Sequence, residues 1–244
     1  MLINFLTAKN WHTPTLALAF LSLCLLPSCD DTVRGRGDLV TETRDAKDFH
    51  ALEIGCNGDV RVRVDSVFKV EVTCEENIIA YLETVEENGV LKIYFDRNVW
   101  DVDDLKITVS APSWDAFEIR GSADVDVLDL IAGDALALDV SGSGDLSLND
   151  LSFNKINALI SGSGDVEFFG DADALDASIS GSGDLDALGC PVKTAKVSVS
   201  GSGDARLHVL DSLTVSISGS GIVEYKGSPQ VSSSISGSGR VRKI

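Results

Sequence analysis

The residues of this chain best equipped for chemistry are carboxylates at regular spacing. Asp124, Asp145, Asp165, Asp184 and Asp204 each close a short glycine-rich run. Beyond them, Asp165 is followed by Glu167, Asp184 by Asp186, and Asp204 by Arg206 and His208. Alternate residues of a strand share a face. Asp145, Asp165, Glu167, Asp184, Asp186, Asp204, Arg206 and His208 therefore read as one candidate binding face.

Three chemistries suit such a face. Paired carboxylates could act as general acid and base on a glycan, with Arg206 holding a uronate carboxylate. That reading expects carboxylates converging in a cleft beside a basic residue. Stacked aspartates could instead hold calcium between layers, which expects stability that EDTA removes. The plainer reading is that each Asp accepts backbone N–H bonds from its glycine turn, on a sheet face that is polar because water covers it. Carboxylates in a ladder about 4.8 Å apart would repel by about 1 kcal/mol per pair in water-like surroundings, so something must compensate.

Other chemistries lack their residues. Histidine occurs only as His12, His50 and His208, and no Ser/His/Asp arrangement is recognisable. The Ser-Gly pairs join strand to strand, so they are neither nucleophile elbows nor phosphate loops, both of which need a following helix. No Cys/His spacing suits zinc, and no cofactor motif is present. Few aromatics are available to stack sugars: Phe169 shares the carboxylate face, while Trp100 and Trp114 lie upstream. A formal charge of −18 argues against nucleic-acid phosphates and anionic lipid surfaces as partners.

The elements that must position these residues repeat. Ser141-Gly142-Ser143-Gly144-Asp145 recurs at Ser161, Ser180 and Ser200, and without the Asp at Ser218 and Ser236; Arg120 to Asp124 is a degenerate first copy. The leading glycines, Gly121, Gly142, Gly162, Gly181, Gly201, Gly219 and Gly237, are 21, 20, 19, 20, 18 and 18 residues apart. A period near twenty signals a solenoid. Two residues before these glycines stand Ile119, Val140, Ile160, Ile179, Val199, Ile217 and Ile235; four residues after them stand Val125, Leu146, Val166, Leu185, Ala205, Val223 and Val241. Apolar residues at alternate positions on both sides of a corner are two half-buried strands. One rung cannot bury its apolar row alone, whereas stacked rungs can. The fold expected is all-β, a parallel β-helix of about 18–21 residues per rung over 113–244, with a less regular β region over 49–112. Glycines suit its corner, where the chain bends sharply and some residues take positive φ.

In the irregular region strands are expected at 51–56, 60–64, 67–74, 90–95 and 105–110. Asn57-Gly58 is expected to turn, Glu87-Asn88-Gly89 to close a hairpin, 75–82 to hold one or two helical turns, and 98–104 to form an acidic loop. Cys56 and Cys74 either pair, as export would permit, or are buried thiols; Cys190 reads as a corner residue. At the other end, Ser233 and Lys243 occupy inward positions of the last rung, and Arg240, Arg242 and Lys243 make a basic terminus. These read as a polar cap against open-ended stacking, or as a subunit contact.

The opening stretch reads as an address. Lys9 precedes an apolar run, Thr15 to Leu26, that is short for a bilayer span and ends in Leu26-Pro27-Ser28-Cys29. This resembles a bacterial lipobox, with Pro27 an unusual occupant. The expected order is a lipoprotein signal peptide over 1–28, a lipidated Cys29 and tether over 29–48, and one continuous domain over 49–244.

Four ordered features then carry a family resemblance. They are Gly37-Asp38-Leu39 leading to Arg44 and Phe49; a strand ending at Cys74 before Glu76-Asn77-Ile78-Ile79; Asn88-Gly89-Val90-Leu91-Lys92-Ile93; and Ile107 to Pro112 before the Gly-Ser-Gly-Asp repeats. Together they resemble the putative auto-transporter adhesin, head GIN domain family of exported Gram-negative lipoproteins. The resemblance covers roughly residues 37 to 240. It implies a right-handed β-helix and an adhesin-like binding role, and it supplies no catalytic motif. The function expected is a non-catalytic, lipid-anchored binding or scaffolding module of the cell envelope, at the outer membrane. Its expected partners are the membrane through its lipid, a glycan or envelope protein, and a second copy of itself. The alternatives are a glycan-active β-helix enzyme and a calcium-stabilised stalk.

Overall fold

The computed structural model describes residues 32–244, apart from 101 and 103. The stretch expected to be a signal peptide, Cys29 and its two following aspartates lie outside the described residues.

The chain starts with β1 (Val33–Arg34), β2 (Leu39–Arg44), β3 (Ala51–Ile54), β4 (Asn57–Val64) and β5 (Lys69–Glu75). A single 3-10 turn, Ile79–Tyr81, leads into β6 (Leu82–Glu87) and β7 (Val90–Phe95), then β8 (Val99–Trp100) and β9 (Lys106–Ala111). The regular part has β10 (Ala116–Ile119), β11 (Ser122–Val127), β12 (Ile131–Val140), β13 (Leu146–Ile160), β14 (Val166–Gly181), β15 (Leu185–Gly201) and β16 (Ala205–Gly219). It finishes with β17 (Ile222–Gly227), β18 (Gln230–Gly237) and β19 (Arg240–Lys243).

From β10 onwards each rung pairs in parallel with the next, the arrangement expected of a β-solenoid. The long strands β13 to β16 run through the second corner of each rung. That corner is a register shift, as between Leu148 and Leu151 or Ala187 and Pro191. Cys190 sits there, fully buried.

The inward column is continuous through both regions. Ile93, Ile54, Ile119, Val140, Ile160, Ile179, Val199, Ile217 and Ile235 are successive partners. All but the last are 0–2% exposed. Burying each such side chain contributes about 1.5–3 kcal/mol, so the column is a main reason that the rungs stack.

The irregular region belongs to the same stack, laid down out of order. The rung of β7 and β9 lies below that of β3 and β4, although it comes later in the chain. The chain then passes over β3 and β4 to start β10 and β11. A simple forward count cannot find these rungs. Below them, antiparallel strands close the end: β6 on β7, β5 on β9, and β2 on β5. Above that end, where the chain enters β3 and β10, Phe49, Trp114 and Phe117 fill the core, with neighbouring ring centroids 5.7 and 5.6 Å apart. The Trp114 indole N–H donates to the Arg63 carbonyl at 2.9 Å, which satisfies its one polar atom.

Several local expectations change. Residues 39–44, placed in the tether by sequence, form a strand on β5. Asn57-Gly58 begins β4 instead of turning. The helical stretch over 75–82 is one 3-10 turn. The acidic loop contains β8, which pairs with β1. The hairpin is as expected, with Asn88 and Gly89 at φ 55° and 81°. Cys56 and Cys74 are buried free thiols, so the pairing alternative fails. The polar cap of the last rung is only partial, because Val231 and Ile235 are 41% and 44% exposed.

Candidate functional site

The corner that carries the aspartates is built by glycine. A Cβ on Gly142 would lie 1.8 Å from the Gly121 carbonyl oxygen, and one on Gly162 1.9 Å from that of Gly142. Gly164 and Gly183 face the rung below in the same way, at 2.0 and 2.1 Å. Two glycine columns therefore let backbone stack directly on backbone. Positive φ is a second reason in the later rungs, as at Gly181 and Gly201 (148° and 139°).

The aspartates bond between rungs. Asp145 Oδ1 accepts the Asp165 N–H at 2.9 Å, Asp165 Oδ1 the Asp184 N–H at 2.8 Å, and Asp184 Oδ1 the Asp204 N–H at 2.8 Å. Asp204 Oδ1 accepts the Ile222 N–H at 2.7 Å, one rung past the last carboxylate. The expected bond within the turn is thus replaced by one to the next turn. A hydrogen bond to a charged acceptor is worth about 1.5–3 kcal/mol, against about 1 kcal/mol of like-charge repulsion at this spacing in water. The bonds win, and the ladder needs no cation to hold it. Among the described residues, no three His, Cys, Asp or Glu side chains converge to hold a metal ion.

The next outward column alternates in charge from Asp186 upward. Glu167, Asp186, Arg206, Glu224 and Arg242 are successive partners. Arg206 Nη2 lies 2.5 Å from Asp186 Oδ2, and Arg242 pairs with Glu224. A groove of about 340 Å³ runs between the two columns, lined by Asp184, Asp186, Asp204, Arg206, Ile222, Glu224 and Arg242.

Four of the eight residues expected on the face line this groove. Asp145, Asp165 and Glu167 lie on lower rungs of the same columns. His208 lies two residues beyond Arg206, beside Lys226 and Pro191. Glu224 and Arg242 were missed, yet they stand five residues after Gly219 and Gly237, as Asp186 and Arg206 do after Gly181 and Gly201. Reading that column to its end would have found them.

Two further features have weaker signals. His50 Nδ1 lies 2.8 Å from Asp115 Oδ1 across a separation of 65 residues, which no local spacing reveals. A larger groove of about 460 Å³ lies on the strands before the glycine corner, lined by Ala51, Ala116, Ala137, Leu159, Glu118 and Asp139 among others. Burial, and then Glu118, raise the Asp139 carboxyl above its ordinary pKa. This groove combines columns from the irregular and regular regions, so the repeat alone does not delimit it.

The family model described as "Putative auto-transporter adhesin, head GIN domain" matches residues 48–229. The chain belongs to that family. Solved structures agree on the fold. A putative adhesin from Bacteroides fragilis superposes with a TM-score of 0.83 at 24% identity, over 87% of this chain and 100% of its own. One from Parabacteroides distasonis gives 0.71 at 26% identity, over 88% and 100%. A protein from the same species titled a putative lipid binding protein gives 0.71 at 22%, over 87% and 99%. No curated protein matches. An adhesin family points to a binding role and to an extracellular or envelope location. Among the described residues no helix is long and apolar enough to cross a membrane, which does not bear on β-barrels.

Proposed function

We propose that this protein is a non-catalytic binding module of the cell envelope, held at the outer membrane by a lipid on Cys29 and recognising a glycan or an envelope protein with its carboxylate face. The observation that carries the reading is the engagement of that face with the fold. Asp145, Asp165, Asp184 and Asp204 each hold the amide of the next rung, and Asp186 is neutralised by Arg206. Such groups are fixed in position, which suits recognition better than proton transfer. Family membership supports the same reading.

A glycan-active enzyme is the second reading. It is favoured by one observation, the groove that brings Asp184, Asp186 and Asp204 beside Arg206 and Arg242. A glycan array with parallel depolymerisation assays separates the two. Binding without cleavage, weakened by Arg206→Ala, is the expected result. Cleavage abolished by Asp184→Asn or Asp204→Asn would establish the enzyme instead. The anchor is tested separately: Cys29→Ser should abolish incorporation of labelled palmitate, and unchanged labelling would remove the lipid from the proposal.

A further inference from the structure

The two ends of the stack differ in how they treat their exposed strand edges. At the first end, antiparallel strands and a 3-10 turn close the core, with Ile78, Ile79 and Leu82 at 0–4% exposed. At the last rung, among the described residues, β18 pairs only with β16 and β19 only with β17. Their other edges present backbone N–H and C=O groups outward, the template on which a further strand adds. The inward positions are also open. Val231 and Ile235 are 41% and 44% exposed, while Leu213 and Ile217 one rung below are 0–1% exposed.

Edges are commonly guarded by charge. Here the longer strand, Gln230–Gly237, carries no charge at all. The charges are confined to the shorter strand and its corner, as Arg240, Arg242 and Lys243 on a chain of net charge −18. Arg242 is tied to Glu224 of the rung below. Among the described residues no carboxylate pairs with Arg240 or Lys243. Arg240 stands in the aspartate column, directly above Ile222. The next member of that column on an added strand would therefore meet a cation.

We infer that this edge is a docking site for an extended acidic segment of another protein, which adds as a further rung. Its backbone pairs with β18 and β19, alternate apolar side chains cover Val231 and Ile235, and a carboxylate on its outward side meets Arg240. This is strand addition with charge selection. The inference does not rest on the glycan reading, although the edge adjoins the groove of the carboxylate face at Arg242.

The test uses the full chain and fluorescent peptides of alternating sequence, with Val and Ile at one set of positions and Asp and Glu at the other. A second peptide carries Lys at every acidic position, and a third repeats the acidic sequence with alternate backbone nitrogens methylated. The acidic peptide should bind at least tenfold more tightly than the other two and slow amide exchange in 230–243. Arg240→Glu combined with Ile235→Lys should weaken it at least tenfold while leaving the melting temperature in place. Equal binding of the acidic and Lys peptides would overturn the inference, as would protection outside 230–243. A concentration-dependent dimer that protects these strands and is not displaced by the acidic peptide would assign the edge to a second copy instead.

Discussion

The closed first end and the open last rung solve the same problem differently. Each must finish a stack of parallel strands whose inward rows are apolar. The first end uses reversed strands and a 3-10 turn whose Ile79 is buried. The last rung uses serines, with Val231 and Ile235 left half in water. A solenoid thus derives stability from neighbours: the same residue type in the same column is structural in one rung and nearly free in another.

The largest effect should come from the corner that makes stacking possible. Gly162→Ala puts a methyl 1.9 Å from a backbone carbonyl oxygen that has nowhere to go. Loss of the cooperative melt, or more than about 4 kcal/mol in urea unfolding, is expected. Gly133→Ala meets only the edge of the Phe153 ring, at 3.0 Å, and should cost less than about 1 kcal/mol. Similar losses at the two sites would break the distinction between corner and face.

Trp114→Ala tests the aromatic cluster above the closed end and should cost about 3–5 kcal/mol. A loss under about 1 kcal/mol would mean that the aromatics do not hold the first rungs together. The column comparison is sharper. Ile217→Ala should cost about 2–5 kcal/mol, whereas Ile235→Ala, one rung on, should stay within about 0.5 kcal/mol. Equal losses would show that the last rung is covered in solution.

The last effect is alkaline. Burial pushes the thiols of Cys56 and Cys190 up to about 12 and that of Cys74 up to about 11, from 9.0. Below about pH 9 each thiol is protonated folded and unfolded, so pH is indifferent. Above it the unfolded chain loses its protons first. Stability should then fall with rising pH, by up to about 1.4 kcal/mol per unit for each thiol. A Cys56→Ala, Cys74→Ala, Cys190→Ala variant should fall less steeply between pH 9 and 11. Identical slopes would assign the decline to other groups.

The regular rungs were legible because stacking imposes the same residue type at the same offset, and Gly142 to Gly237 can be counted. The first rungs were not, because their spatial order differs from their chain order: Ile93 lies below Ile54. Period finding assumes that neighbours in space follow one another in sequence. The aspartates were found as a column, but their partners were expected in the same turn. Nothing in Ser-Gly-Ser-Gly-Asp distinguishes an amide of its own rung from one of the next. Arg242 and Glu224 were legible in principle, since the alternation of charge needs only the repeat. The His50–Asp115 pair depends on the out-of-order rungs and was not.

The central claim is that the aspartates join rung to rung. Amide hydrogen exchange resolved at Asp204 in the Asp184→Ala and Asp184→Asn variants tests it most directly. Asn keeps a carbonyl oxygen where Asp184 Oδ1 accepts the Asp204 N–H, and Ala keeps nothing. The account predicts faster exchange at Asp204 in the Ala variant and near-normal exchange in the Asn variant, with Asp165 little changed in both. Unchanged exchange at Asp204 in the Ala variant would contradict it and return the carboxylates to ligand, metal or catalytic duty.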